Sequence, residues 1–307
     1  MISGDDMEEK LKSIEARRVK LYEVYKKERK FGIIALILAL ISVLLLVATQ
    51  QSFILIFAII FAIVAIVYFG KAALHAVKFK EIIKSELIIA MLEDQFENVK
   101  YNHQHSIPIQ TINATSMIKR PDRFSGEDYI KGTYKDVEFE VSDIELKERV
   151  ETRDSKGNRT VSYQTYFKGR WYIFRYGRTF DGTIKICEGS RWQMNTKGLT
   201  KVDTESIEFN KKFSMFASSQ EYAFFQITPR ILEKLMELEK MHRGSILYYF
   251  NQDELHIGVN DRRDYLELPL SKAVNQQALI DFKADIELIP AIINELKLDG
   301  DKFKSKK

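Results

Sequence analysis

The stretch Ser125-Gly126-Glu127-Asp128, with Asp122 close by, is where this chain gathers side chains suited to proton chemistry. A carboxyl pair can act as general acid and general base, which would suit a hydrolase. On a strand, however, consecutive side chains point to opposite faces, so Glu127 and Asp128 could not share a substrate proton. In a turn ahead of Tyr129, an aspartate more often caps backbone groups. Gly126 still frees the backbone for close approach, so Ser125, Gly126, Glu127 and Asp128 are taken as a candidate functional loop, with no catalytic, cofactor-binding or metal-ligating role assigned.

His103 and His105 are two apart and on a strand would share a side, as two metal ligands must. Spacing offers no third ligand, and histidines in a polar linker are usually just solvated. Trp171, Tyr172, Phe174, Arg175 and Tyr176 could stack bases, but aromatic strands are more often core. Cys187, the only cysteine, lies between strand-forming residues and reads as an inert buried thiol. No Gly-rich phosphate loop, nucleophile elbow, Cys-x-x-Cys pair or His-Glu-x-x-His is present. No cofactor is expected.

The elements that must position these residues begin with the apolar run. From Gly32 to Ala48 there is no charge and one polar side chain, Ser42; after Thr49-Gln50-Gln51-Ser52 a second uncharged run extends from Phe53 to Phe69. As helices, each is about 25–27 Å long, close to the ~30 Å hydrocarbon core. A cleaved signal peptide would need a small-residue cleavage site before a polar mature start. A single long span would put Gln50 and Gln51 near mid-bilayer. Two spans joined by a tight turn, residues 32–49 and 53–69, are therefore expected. Lys26, Lys27, Arg29 and Lys30 precede them and Lys71, Lys78 and Lys80 follow, so both termini should be cytoplasmic. Ala35 with Ala39, and Ala58 with Ala62, have the spacing that lets helices approach closely in lipid. That spacing fits packing within the hairpin and leaves room for a homo-oligomer. The spans hold no ionisable residue, which argues against a pump or channel.

Residues 1–31 form an amphipathic helix with Met7, Leu11, Ile14, Leu21 and Tyr25 at three- and four-residue steps, interrupted by Arg18. Residues 70–99 continue the second span as a helical stalk, the two flanks pairing antiparallel as in a coiled coil. The region 100–298 is a folded domain, and 299–307 a frayed basic tail. Within the domain, Ile107-Pro108 opens a short helix and Arg120–Gly126 is a loop. Val137, Phe139 and Val141 alternate as a strand, and 152–160 forms a hairpin tip. Tyr163–Tyr176 and Ile184–Ile186 are two further strands. Thr228-Pro229 caps a helix. Ile246–Phe250, Leu255–Val259 and Tyr265–Leu268 form a meander with turns at 251–254 and 260–264, and a last helix near 275–298 is broken by Pro290. Strands in blocks with interspersed helices give an α+β class with mainly antiparallel sheet. With 47 basic and 43 acidic residues the net charge is +4, too even to imply a nucleic-acid partner.

Several of these stretches together resemble the bacterial family known as domain of unknown function 3137. They are Lys100-Tyr101, Ile107, the run Phe124-Ser125-Gly126-Glu127-Asp128-Tyr129-Ile130-Lys131-Gly132, and Phe167-Lys168-Gly169 closing a long hairpin. Phe209 to Phe216, Ala223, Ile227-Thr228-Pro229 and Ile246 to Ile257 add to them. The resemblance implies a bacterial inner-membrane protein with two spans and a cytoplasmic domain, and brings no activity with it. Arg170 and Trp171 depart from the apolar residues such proteins tend to have after Phe-x-Gly. The expected function is a membrane-anchored interaction or scaffold module binding a protein partner or lipid headgroups. The rival is a membrane-tethered hydrolase using Glu127 and Asp128.

Overall fold

A computed structural model describes residues 4–153, 155, 157–189, 193–241 and 244–304; Lys156, in the expected hairpin tip, and the last three residues of the basic tail lie outside them. The chain divides into two compact units, residues 1–94 with 266–283, and residues 95–265 with 284–307.

The first unit is built on two long helices, α1 (Gly4–Thr49) and α2 (Ile54–Ile82), packed against each other antiparallel. Buried positions on α1 include Leu11, Ile14, Arg18, Ala35, Ala39 and Ser42, stepping mostly by three, four or seven; on α2, Ala58, Ala65, Ala72 and Phe79 recur every seven. Those intervals keep one stripe of each helix facing the other. Small side chains there let the backbones come close, and a Cβ on Gly32 would lie 3.1 Å from the Phe69 ring. Ser42 Oγ donates to the Leu38 carbonyl at 2.8 Å, so the polar group inside the apolar run is satisfied within its own helix. The outward faces carry exposed leucine, isoleucine and valine, with Val47 72% and Ile66 71% exposed.

Arg18, which interrupts the apolar stripe in the sequence, is buried because it has partners. Its Nε donates to Glu15 Oε2 at 2.8 Å and its Nη1 to the Leu270 carbonyl at 2.9 Å. After α2 the helix loosens into one π-helical stretch, Ile83–Ile88, then regains α geometry as α3 (Ile89–Gln95). The buried Lys84 ammonium lies 2.6 Å from Glu267 Oε1, and Arg17 pairs with Glu86. The helix ends at Gln95 rather than Val99, since the next residues enter a strand.

The second unit is an antiparallel sheet flanked by helices. In chain order it comprises β1 (Glu97–Asn102), α4 (Ile109–Ala114), β2 (Arg123–Tyr134), β3 (Val137–Arg153), β4 (Arg159–Glu188), β5 (Thr200–Val202) and α5 (Ile207–Lys212). Then follow β6 (Phe213–Ala217), α6 (Gln220–Gln226), α7 (Pro229–Lys240), β7 (Ser245–Asn260) and α8 (Gln276–Leu296), whose residues from 284 on belong here. The strand order among the described residues is β1-β2-β3-β4-β6-β5, with β7 also pairing with β4. Phe139, Val141, Tyr172, Phe174, Leu255 and Ile257 are buried. A further cluster joins Ile107, Ile112, Met117, Ile144, Leu146, Phe167, Trp171 and Leu247. The class is α+β, as the blocks of alternation predict.

Five further expectations are corrected. The loop expected over 120–126 is already strand from Arg123, because Phe124 pairs with Leu146 across β2 and β3. The two strands expected around Tyr163–Tyr176 and Ile184–Ile186 are one 30-residue strand, whose first half pairs with β3 and second half with β6. The turn expected at 251–254 is a bulge inside β7, where Gln252 takes φ 53° and the pairing with β4 shifts register. Tyr265–Leu268 is not a strand, and α8 runs through Pro290 unbroken.

Candidate functional site

Two bends build a recess in the sheet unit. β2 carries a bulge at Asp128 (φ 58°), so its pairing with β3 jumps from Glu127↔Asp143 to Ile130↔Val141. The bulge is held from behind by backbone groups. Asp128 N–H donates to the His103 carbonyl at 3.3 Å and Tyr129 N–H to the His105 carbonyl at 3.0 Å. His103 and His105 lie after β1 and act on this site through their carbonyls. On β4, Gly169 takes φ 149°, and a Cβ there would stand 2.2 Å from the Val259 carbonyl oxygen, so only glycine fits.

Between these bends, Ser125, Gly126 and Glu127 of β2, Asp143, Ile144 and Glu145 of β3, and Lys168 and Gly169 of β4 line an open cavity of about 400 Å³. Arg263 and Asp264, from the loop after β7, close it. That loop is pinned to β4: Arg262 N–H donates to the Lys168 carbonyl at 2.9 Å, and Lys168 N–H to Asn260 Oδ1 at 2.9 Å.

The candidate quartet is therefore divided. Ser125, Gly126 and Glu127 face the cavity; Asp128 is buried and accepts from Tyr101 Oη at 2.5 Å. The close approach that Gly126 permits is made by the chain itself, since a Cβ there would meet Ser106 Cβ at 2.6 Å and the Asp143 carbonyl at 2.9 Å.

Charge alternates around the cavity. Lys168 Nζ lies 2.9 Å from Asp264 Oδ1, a pairing that raises the lysine above its ordinary range. Burial pushes Glu145 up, but the Thr165 hydroxyl and Lys147 outweigh it and leave the carboxyl low. Arg263 Nη2 donates to Asp285 Oδ1 at 2.8 Å. Beneath lies Arg170, fully buried, its Nε donating to Asp143 Oδ1 at 2.8 Å while Asp143 Oδ2 accepts from Tyr265 N–H at 2.9 Å. Burial pushes Asp143 up to about 6 against the pull of Arg170. The guanidinium also stacks 3.9 Å from the Tyr265 ring. The departure at Arg170 thus makes a buried ion pair under the cavity floor, and Trp171 joins the core.

Sequence reasoning missed a polar ladder across β2, β3, β4 and β7. Trp171 Nε1 donates to His256 Nδ1 at 3.2 Å; an indole nitrogen can only donate, so a neutral His256 carries its proton on Nε2, which lies 3.2 Å from Glu254 Oε2. Glu254 Oε1 accepts from Arg175 Nε at 2.8 Å, Arg175 Nη1 donates to Glu140 at 2.5 Å, and Tyr129 Oη donates to Glu140 Oε2 at 2.8 Å. The His256 contact, with help from Arg175, holds the Glu254 carboxyl down to about 2. The available signal was period two: Glu254 and His256 fall on one face of β7. The aromatics weighed as a stacking platform, Trp171, Tyr172, Phe174 and Tyr176, are buried. Cys187 is buried too, which raises its thiol.

A model of the family described as protein of unknown function (DUF3137) matches residues 165–298, in line with the resemblance seen in the sequence. A search of curated proteins returned no match. Among solved structures, the mycobacterial trehalose monomycolate transport factor A is similar at 5% identity and a TM-score of 0.37, over 69% of this chain and 95% of that one.

Proposed function

We propose that this protein, similar to the DUF3137 family over residues 165–298, is a membrane-anchored interaction module. Its helical hairpin sits in the bacterial inner membrane with both chain ends cytoplasmic, and its sheet unit engages a protein partner, with lipid headgroups as the other ligand class. The observation that carries this reading is the outward skin of α1 and α2. Two helices whose lipid-length stretches expose leucine, isoleucine and valine, while their alanines face each other, are built for hydrocarbon. Basic residues at both membrane edges support the cytoplasmic orientation. The open, mixed-charge cavity beside Glu127 supports recognition of a polar partner surface.

Affinity purification of the full chain from native membranes tests it. A partner should co-purify in stoichiometric amount. Repeated recovery of none, together with no lipid binding by the protein in nanodiscs beyond its own annulus, would overturn the reading.

A further inference from the structure

α7, with Glu208 of α5, Phe224 of α6, Ile227 and the segment 204–206 before α5, lines a second recess of about 780 Å³ in which apolar and acidic side chains meet. α7 shows the sheet unit one stripe, with Ile231, Leu235 and Leu238 buried. A second stripe, Pro229, Leu232, Glu233, Met236, Glu237 and Lys240, lines the recess at steps of three and one, Met236 being itself buried. Phe224 and Ile227 add to the apolar lining, and Phe224 remains 43% exposed. Glu205 and Glu208 also line it, both exposed. Four glutamates against Lys240 make the lining acidic on a chain whose net charge is +4. Glu237 is offset by Lys234 at 2.6 Å, so the excess rests on Glu205, Glu208 and Glu233.

We infer that this groove receives a basic amphipathic helix from a protein partner. α7 forms one wall along its whole length, so the fitting occupant is a helix laid along it, with apolar residues at i, i+3, i+4 and i+7 inward and Lys or Arg flanking them. The α7 stripe spans twelve residues, about 18 Å, or just over three turns of such a helix. An anionic membrane surface is disfavoured, because it attracts basic segments and meets glutamates here. This inference rests on the interaction-module reading and names its surface.

The probe is a fluorescent 15-residue helix of leucine and lysine, titrated by anisotropy against the full chain in phosphatidylcholine nanodiscs. Its controls are a twin with glutamate for every lysine, and empty discs. Saturable one-to-one binding is expected for the basic peptide alone. It should weaken about tenfold or more in Glu205→Lys/Glu233→Lys and with salt raised from 0.1 to 0.5 M. Phe224→Asp should weaken it too. All these positions are exposed, and an unchanged circular dichroism melt checks that the variants fold. Equal binding of the acidic twin, equal binding to empty discs, or unchanged affinity in the charge-reversed variant would overturn the groove. Co-purification separates the two claims. If a native partner is retained by the charge-reversed variant, the groove inference falls and the module stands. If wild type retains no partner and no lipid, the module reading falls whatever the peptide does.

Discussion

Arg170 and Asp143 form an ion pair with almost no water around it, flanked by the Tyr265 ring and backbone. Removing one partner strands a buried charge, which costs about 3–5 kcal/mol, whereas removing both costs far less. Arg170→Met should therefore lower stability by that amount in urea unfolding of the detergent-solubilised protein. Asp143→Leu/Arg170→Met should regain much of it. A double variant no better than the single would refute the pairing. Glu254 answers to pH. Its folded value near 2 lies below the ~4.3 of an unfolded chain, so its ionised form adds stability above pH 4.3 that drains away as pH falls toward 2. About a third exposed, it should contribute about 1–2 kcal/mol after screening. Glu254→Gln should flatten the acid limb of a stability-versus-pH curve between pH 4.3 and 2, and an identical limb would contradict the assignment.

At the scale of elements, β4 and the α1–α2 hairpin organise the molecule. β4 turns at Gly169, so Gly169→Ala should destabilise by well over 1 kcal/mol, read as a lowered thermal midpoint. The hairpin depends on small residues. Ala65→Leu should cost about 1–3 kcal/mol by overpacking, while Ile66→Leu on the outer face should change little. Both can be measured by thermal unfolding in detergent, followed by circular dichroism.

These elements also show what was readable beforehand. The helical hairpin could be read from two uncharged runs of helix length joined by a polar turn; of the alanine pairs, Ala35 and Ala39 are both buried, whereas on α2 the buried alanines recur every seven, at 58, 65 and 72. The alternation at Val137, Phe139 and Val141 was equally plain. Joins between strands were not. Asn251-Gln252-Asp253-Glu254 has the composition of a turn, yet long-range pairing with β4 carries the strand through it as a bulge. Likewise Ser125 to Asp128 looks like loop until Glu145, Ile144 and Asp143 pair with Ser125, Gly126 and Glu127 across the sheet. The interest of Glu127 came from its neighbours in sequence; the partners that shape its cavity, Lys168 and Arg263, are 41 and 136 positions further on and gave no local sign.

For the whole molecule, the proposed two-helix anchor crosses the membrane twice and leaves the sheet unit inside the cell. Cys187, the chain's one cysteine, is buried, which makes single introduced thiols readable. Ser52 lies in the turn between α1 and α2, and Thr160 at the exposed end of the β3–β4 hairpin. A membrane-impermeant maleimide applied to intact spheroplasts should label the Ser52→Cys variant at once and the Thr160→Cys variant only after lysis. Labelling of Thr160→Cys in sealed spheroplasts, with Ser52→Cys protected, would contradict the account outright.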